Sequence, residues 1–175
     1  REQALAECGG PTVCTTQVST RSNVDGYTTL SGYEAIWVMP LDFIVEGLGF
    51  DTSATHINQS ASDEDAIVTG ISDWTYNFTA FYETDRLQAR MTYYHQDGSV
   101  SGYTNGFELK SMDRSQVDFS GSYRLPVLEE QNLTITFDAY NITDEPVGTW
   151  HQYEGITFDA FYPGATYTFG IRGSF

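Results

Sequence analysis

Apolar and polar residues alternate along several long segments of the chain, and this pattern constrains the fold more than any other feature. In 133–140, Leu133, Ile135 and Phe137 alternate with polar residues. The same period recurs at 76–82, 87–94, 117–125 and 166–175, and more weakly at 25–39 and 43–58. A period of two residues places the apolar side chains on one face of a β-strand. The chain is therefore predicted to be all-β, with about seven strands of roughly 10 to 15 residues.

The lengths of the predicted strands and of their connections favour a membrane barrel over a soluble sheet. Soluble strands have about 5 to 6 residues, whereas a tilted strand that crosses a bilayer needs about 9 to 11. The connections alternate in length: 40–42, 83–86 and 126–131 are short, and 59–73, 96–113 and 143–163 are long. Short turns at one rim and long loops at the other are typical of outer-membrane barrels. Aromatic residues near the strand ends are expected to form the interfacial girdles: Tyr33, Trp37, Tyr82, Tyr93, Tyr123, Tyr162 and Tyr167.

The acidic composition and the absence of catalytic motifs exclude several functions. Lys and Arg number 8 against 24 Asp and Glu, which gives a formal net charge of −16. Such a surface repels nucleic-acid phosphates, so nucleic acid is excluded as a partner. His56, His95 and His151 are scattered, and no nucleophile elbow, P-loop or HExxH spacing is present. The sequence therefore predicts no enzyme activity, no cofactor and no metal site, and the acidic run at 63–65 is interpreted as a solvated loop.

Two cysteines, Cys8 and Cys14, lie on either side of a Gly-Gly-Pro segment. The favoured interpretation is a small disulfide that closes a loop in an oxidising compartment. A thiol pair or half of a metal site is the alternative, although no histidine lies near them to complete a zinc site.

The last eight residues of the chain resemble the C-terminal signal that the outer-membrane assembly machinery reads. In that pattern a polar residue precedes a glycine by two positions, and the segment ends on phenylalanine. Thr168, Gly170 and Phe175 match it, while Gly173 stands where a bulky apolar residue is usual. Such a segment is a strand with an open edge, which pairing with the barrel or its assembly factor completes.

Several blocks of the sequence, in their order and spacing, match a known family: 32–34, 46–50, 77–83, 87–93, 117–120, 133–144, 162–167 and the closing Phe175. Through these blocks the chain resembles, over nearly its whole length, the C-terminal portion of TonB-dependent outer-membrane transporters. The resemblance implies a 22-stranded antiparallel transmembrane barrel around a plug, of which 25–175 supplies about the last seven strands. Residues 1–24 would then form an extracellular loop with the small disulfide, and the plug domain would lie outside this chain.

The resemblance also implies the location and partners of the protein. It places the chain in the outer membrane of a Gram-negative bacterium, in contact with lipid and with the rest of its own barrel and plug. The barrel assembly machinery would insert it, and TonB would act through the absent N-terminal part. The implied function is active import of a scarce or large ligand, such as a siderophore or a carbohydrate.

Loop aromatic residues are the candidates for ligand binding, since flat rings stack on sugar faces while nearby polar groups bind hydroxyls. The candidates in the loops are Trp74, Tyr103, Trp150, His151 and Tyr153. Asp118, Arg124 and Asp138 are further candidates on the inner face of the barrel. An acidic rim disfavours anionic ferric chelates and favours neutral carbohydrates or cationic cargo.

Two other architectures fit parts of the pattern. A self-contained eight-stranded outer-membrane barrel has about this length, if Thr12–Thr20 supplies an eighth strand. A secreted acidic β-sandwich that binds sugars would also alternate, but it requires polar outer faces on its strands.

Overall fold

A computed structural model of the chain describes residues 25–63, 66–126 and 133–173. Cys8, Cys14, Phe175, the possible strand at 12–20 and most of the acidic run at 63–65 lie outside these residues. The described residues form eleven strands: β1 (Thr28–Pro40), β2 (Leu48–Ala61), β3 (Trp74–Glu83), β4 (Leu87–Gln96), β5 (Val100–Thr104), β6 (Phe107–Ser111), β7 (Arg114–Arg124), β8 (Thr134–Tyr140), β9 (Val147–His151), β10 (Thr157–Phe161) and β11 (Thr166–Arg172). None of the described residues forms a helix that could cross a membrane.

Seven of these strands form one antiparallel sheet in the order β1-β2-β3-β4-β7-β8-β11. Successive strands of this main sheet pair without a break in register, from Pro40 opposite Gly49 to Arg172 opposite Thr134. The prediction of an all-β antiparallel chain is confirmed. The main sheet has seven strands as predicted, but β8 and β11 each have 7 residues and are shorter than predicted. Within the described residues β1 and β11 each pair on one side only, so this sheet is an open segment of a barrel wall.

The register divides the main sheet into two chemically different faces, because residues directly opposite each other point to the same side. The outer face is apolar and aromatic; a typical row runs from Ala80 through Met91 and Phe119 to Ala139. Phe169 and Ile171 on this face are each 77% exposed. An apolar face this open matches a lipid environment, in which hydrocarbon replaces water around the side chains.

The inner face is polar along most of its length. The row next to Met91 contains Thr79, Thr92 and Asp118, and Arg90 lies over the ring of Phe81 at 5.8 Å. The large aliphatic side chains that the described strands of the main sheet bring to this face are Leu30, Ile36 and Val38 of β1 and Ile57 of β2. Among the described residues the only buried hydrophobic side chains are Ala66, between β2 and β3, and Ala139, on the outer face of β8. A β-sandwich packs an apolar core between two sheets, so this arrangement favours the barrel over the sandwich.

The two ends of the main sheet differ in their connections. At one end, here the turn end, β1 joins β2 through 41–47 and β3 joins β4 through 84–86. At the other end, here the loop end, the connections span 62–73, 97–113 and 141–165. Aromatic residues and histidines of the outer face gather at the loop end, where His56 stacks on Trp74 at 4.4 Å and His95 on Tyr76 at 4.7 Å. Such a belt suits the boundary between hydrocarbon and water.

The structure also differs from the sequence prediction in one turn and in two of the loops. Residues 43–47, predicted to begin a strand, belong to the turn before β2, where Gly47 has a φ of +81°. The long loops at 96–113 and 143–163 contain the hairpins β5–β6 and β9–β10. Each of these strands has 5 residues, which is too short for alternation to stand out. The first hairpin turns at Asn105 and Gly106, whose φ values of +51° and +81° match a type I′ turn.

Candidate functional site

The four short strands form a second sheet at the loop end, in the order β10-β9-β6-β5. β6 pairs with β9, from Leu109 opposite His151 to Ser111 opposite Thr149. This pairing joins two loops that are distant in sequence into one antiparallel unit. A sheet holds side chains more firmly than a free loop does, because its backbone hydrogen bonds fix the strand positions.

A cavity of about 480 Å³ lies between this small sheet and the loop end of the main sheet. Its walls combine one large indole, a phenol ring and several ionisable side chains. The residues that line it are Gly98, Lys110, Ser111, Met112, Asp113, Glu145, Pro146, Trp150, Glu154, Thr157 and Tyr162. This combination of flat rings with hydrogen-bonding groups is typical of small-molecule sites.

Trp150 is the aromatic centre of the cavity. It lies on β9 directly opposite Lys110 on one side and Thr157 on the other. The indole is therefore flanked by an amine and a hydroxyl on the same face of the small sheet. The Lys110 ammonium is 3.4 Å from the Glu108 carboxylate, which neutralises its charge.

Two carboxylates of the cavity are oriented by backbone donors. Asp113 accepts a hydrogen bond from the Gly98 N–H at 2.7 Å through Oδ1, and Glu145 accepts one from the Ser115 N–H at 3.2 Å through Oε1. Each carboxylate retains a second oxygen that can accept hydrogen bonds from a ligand. Together with Glu154, they make the cavity acidic.

Asn141 fixes the backbone that carries Glu145. It is 1% exposed and has a φ of +55°, at the point where the chain leaves β8. Its Oδ1 accepts the Glu145 N–H at 2.9 Å, and its Nδ2 donates to the Glu145 carbonyl at 3.2 Å and the Gly164 carbonyl at 3.4 Å. Asparagine tolerates this left-handed conformation better than most residues, so one buried side chain holds both ends of the long loop.

The family assignment rests on a match over most of the chain. Residues 3–142 match the family described as TonB dependent receptor-like, beta-barrel. The chain belongs to this family. Neither a curated protein nor a solved structure matches it. Members of the family are outer-membrane proteins of Gram-negative bacteria that take part in TonB-dependent transport with a plug domain, and they are transporters rather than enzymes.

The structure distributes the predicted ligand residues of this TonB-dependent receptor barrel over three places. Trp150 lines the cavity. Tyr103 of β5 lies opposite Glu108 of β6 and is on the same face of the small sheet as Trp150. His151 lies on the opposite face between Phe107 at 5.2 Å and Phe158 at 6.1 Å, and Tyr153 lies in the turn after β9. Trp74 lies on the outer face of β3 in the aromatic belt, a position suited to anchoring the barrel in the membrane.

The inner-face candidates of the receptor barrel are engaged to different degrees. Asp118 accepts hydrogen bonds from the Gln116 amide at 2.7 and 2.9 Å and from the Asn141 N–H at 2.8 Å. It therefore supports Asn141, which holds both ends of the long loop. Asp138 accepts one from Ser120 at 2.7 Å. Arg124 lies at the turn end. Of these three candidates, Arg124 therefore lies at the end of the sheet opposite the cavity.

Sequence reasoning missed the acidic lining of the receptor cavity and the role of Asn141. Asp113, Glu145 and Glu154 are dispersed along the chain, and they meet only because β6 pairs with β9. Tyr162 was expected in the girdle, but it lies between β10 and β11 and lines the cavity. The signal that points to Asn141 is its position directly after the alternating segment 133–140, where a residue tolerant of positive φ is favoured.

Proposed function

We propose that this chain forms part of the wall of a TonB-dependent importer, and that the cavity around Trp150 binds a neutral carbohydrate at the extracellular surface. The observation that carries the proposal is that an indole and two oriented carboxylates line one loop-end cavity. An indole stacks on the apolar face of a sugar ring, while the free oxygens of Asp113 and Glu145 accept hydrogen bonds from its hydroxyls.

The charge of the cavity supports a neutral ligand over an anionic one. Asp113, Glu145 and Glu154 line it, and the Lys110 charge is compensated by Glu108. An anionic iron chelate would approach uncompensated negative charge, which costs free energy even in partly solvated surroundings. A carbohydrate carries hydroxyl donors and no charge, so it gains hydrogen bonds without this repulsion.

In this proposal each part of the chain contributes one step of import. The small sheet captures the ligand at the loop end, and the polar inner face of the main sheet offers hydrogen-bonding groups along its route. The plug and TonB supply the gating that opens this route in the complete receptor.

The proposal also assigns two features that lie outside the import route. Thr168, Gly170 and Phe175 form the signal that the barrel assembly machinery reads, and Cys8 and Cys14 form a disulfide in an extracellular loop.

Replacing Trp150 with alanine should weaken carbohydrate binding by the complete receptor about ten-fold or more. The change removes the stacking surface but leaves the carboxylates in place, and the loss corresponds to about 1.4 kcal/mol of binding free energy. Isothermal titration of the purified receptor against a panel of neutral oligosaccharides measures the effect.

Trp74→Ala is the matched control, because it removes the same side chain from the outer face of the barrel. The affinity of the Trp74→Ala receptor for the same oligosaccharide should stay within about two-fold of that of the unaltered receptor. If both variants lose affinity equally, or if cationic ligands bind while every neutral oligosaccharide fails, the carbohydrate assignment is wrong.

A further inference from the structure

Three side chains at the loop end of the main sheet are joined by hydrogen bonds on its outer face. His95 on β4 lies directly opposite Ser115 on β7, and Asp97 follows just after the end of β4. The His95 Nδ1 is 2.7 Å from the Ser115 Oγ, and the His95 Nε2 is 3.0 Å from the Asp97 Oδ1. The three residues therefore form a continuous serine–histidine–aspartate array. They come from two separate segments of the chain, so no local motif marks them in the sequence.

The hydrogen bonds of this array fix which nitrogen of His95 carries the proton. An ionised carboxylate only accepts hydrogen bonds, so the His95 Nε2–H donates to Asp97. The Nδ1 then has a free lone pair and accepts the hydroxyl proton of Ser115. In the serine-protease triad Nε2 faces the serine, whereas here Nδ1 does, and either nitrogen of a neutral imidazole can accept a proton. The array therefore places a general base, oriented by an acid, beside a potential nucleophile.

The surroundings of Ser115 hold it in position and supply a further hydrogen-bond donor. Its N–H donates to the Glu145 Oε1 at 3.2 Å, and its carbonyl accepts a hydrogen bond from the Thr143 Oγ1 at 3.2 Å. The Tyr93 hydroxyl donates to the Ser115 Oγ at 3.4 Å. When the Ser115 oxygen adds to a carbonyl carbon, negative charge develops on the carbonyl oxygen, and a hydroxyl donor this close to the nucleophile can stabilise that charge.

The array faces the membrane at the depth of the aromatic belt. His95 stacks on Tyr76 at 4.7 Å, and Tyr76 is 37% exposed on the outer face. The side chains of His95 and Asp97 also remain partly exposed. The belt marks the boundary between hydrocarbon and water. The ester bonds of membrane lipids join acyl chains to headgroups at this same boundary, so a lipid beside the barrel brings its esters level with Ser115.

We propose that Ser115, His95 and Asp97 form a site that hydrolyses acyl esters of lipids in the surrounding membrane. The Ser115 Oγ attacks the ester carbonyl carbon while the His95 Nδ1 takes the hydroxyl proton. His95 gives this proton to the alcohol oxygen of the lipid, which leaves, and the acyl group stays on Ser115 as an ester. His95 then deprotonates a water molecule that adds to this ester, the proton returns to the Ser115 Oγ, and a free fatty acid is released. Ser115 and His95 are the catalytic residues, and Asp97 is a positioning residue. This activity is additional to import and needs no imported ligand.

Release of fatty acid by the complete receptor tests the proposal. The purified receptor is placed in mixed micelles with phosphatidylethanolamine or, separately, with lipid A, and free fatty acid is measured by mass spectrometry. We expect release from at least one of the two lipids, and the lipid that is cleaved identifies the headgroup class. A fluorophosphonate, which reacts with activated serine hydroxyls, should label Ser115. Ser115→Ala should abolish this labelling and lower the release about 100-fold or more, because the nucleophile is removed.

Asp97→Asn tests the positioning role of the carboxylate. An asparagine side chain both donates and accepts hydrogen bonds, so it no longer fixes the proton on the His95 Nε2. The kcat should fall about ten-fold or more while KM stays within about two-fold, because Asp97 orients the base without contacting the lipid. A raised KM with an unchanged kcat would contradict this role.

A second histidine of the belt provides the matched control. The His56 Nδ1 is 2.9 Å from the Asp73 carbonyl oxygen rather than from a hydroxyl group. His95→Gln should lower fatty-acid release about 100-fold or more, whereas His56→Gln should leave it within about two-fold. Heat-modifiable migration on gels verifies that every variant forms a folded barrel. Absence of release from both lipids, labelling confined to another serine, or release that survives Ser115→Ala overturns the proposal. Because the assay contains no carbohydrate, failure here is distinct from failure of the carbohydrate proposal.

Discussion

Replacing Phe169 with arginine should destabilise the barrel by about 2–4 kcal/mol, the cost of a cationic side chain on the lipid face near the bilayer midplane. Phe169 lies in the middle of β11, is 77% exposed on the outer face, and packs on Phe137 at 4.7 Å. Arginine at this position would lose that packing and hold a charge in hydrocarbon. Equilibrium unfolding of the refolded complete barrel in phospholipid vesicles measures the change in free energy of unfolding.

The adjacent residue provides the control for this experiment. Thr168 points to the inner face, directly opposite Asp138. Thr168→Arg therefore introduces the same charge beside a carboxylate and in polar surroundings, and should change the free energy of unfolding by at most about 1 kcal/mol. Equal destabilisation by both variants would show that the two faces have been assigned incorrectly.

Replacing Asn141 with alanine should cost about 2–4 kcal/mol in the free energy of unfolding. Alanine leaves the Glu145 N–H and the Glu145 and Gly164 carbonyls without their buried partner, and it is disfavoured at a φ of +55°. Because Glu145 lines the cavity, the variant should also weaken ligand binding. Chemical unfolding and ligand titration of the same preparation measure both effects.

Asn105→Ala separates the backbone effect from the hydrogen-bond effect. Asn105 has a similar φ of +51°, but it is exposed in the β5–β6 turn. Its replacement should cost about 1–2 kcal/mol, the backbone contribution alone. If Asn141→Ala is no more damaging than Asn105→Ala, then the buried hydrogen bonds of Asn141 do not hold the loop.

The faces of the main sheet were predictable from the sequence because alternation is a local property. Phe137 and Asp138 must point to opposite sides of any strand that contains both, whatever that strand pairs with. The segments 76–82, 87–94 and 117–125 therefore defined three strands and their apolar faces, and the structure places them in β3, β4 and β7. The alternation of short and long connections likewise predicted the turn end and the loop end.

The all-β class, the apolar outer face and the strands of a barrel wall could therefore be predicted from the sequence, since each depends on residues close together in the chain. Which side chains come together across strands depends instead on how distant segments pair. Trp150 lines the same cavity as Asp113 and Glu145 because β6 pairs with β9, and Arg124 comes near Arg172 because both lie opposite Thr134. These contacts depend on register between distant segments, and a shift of one residue would move each side chain to the other face.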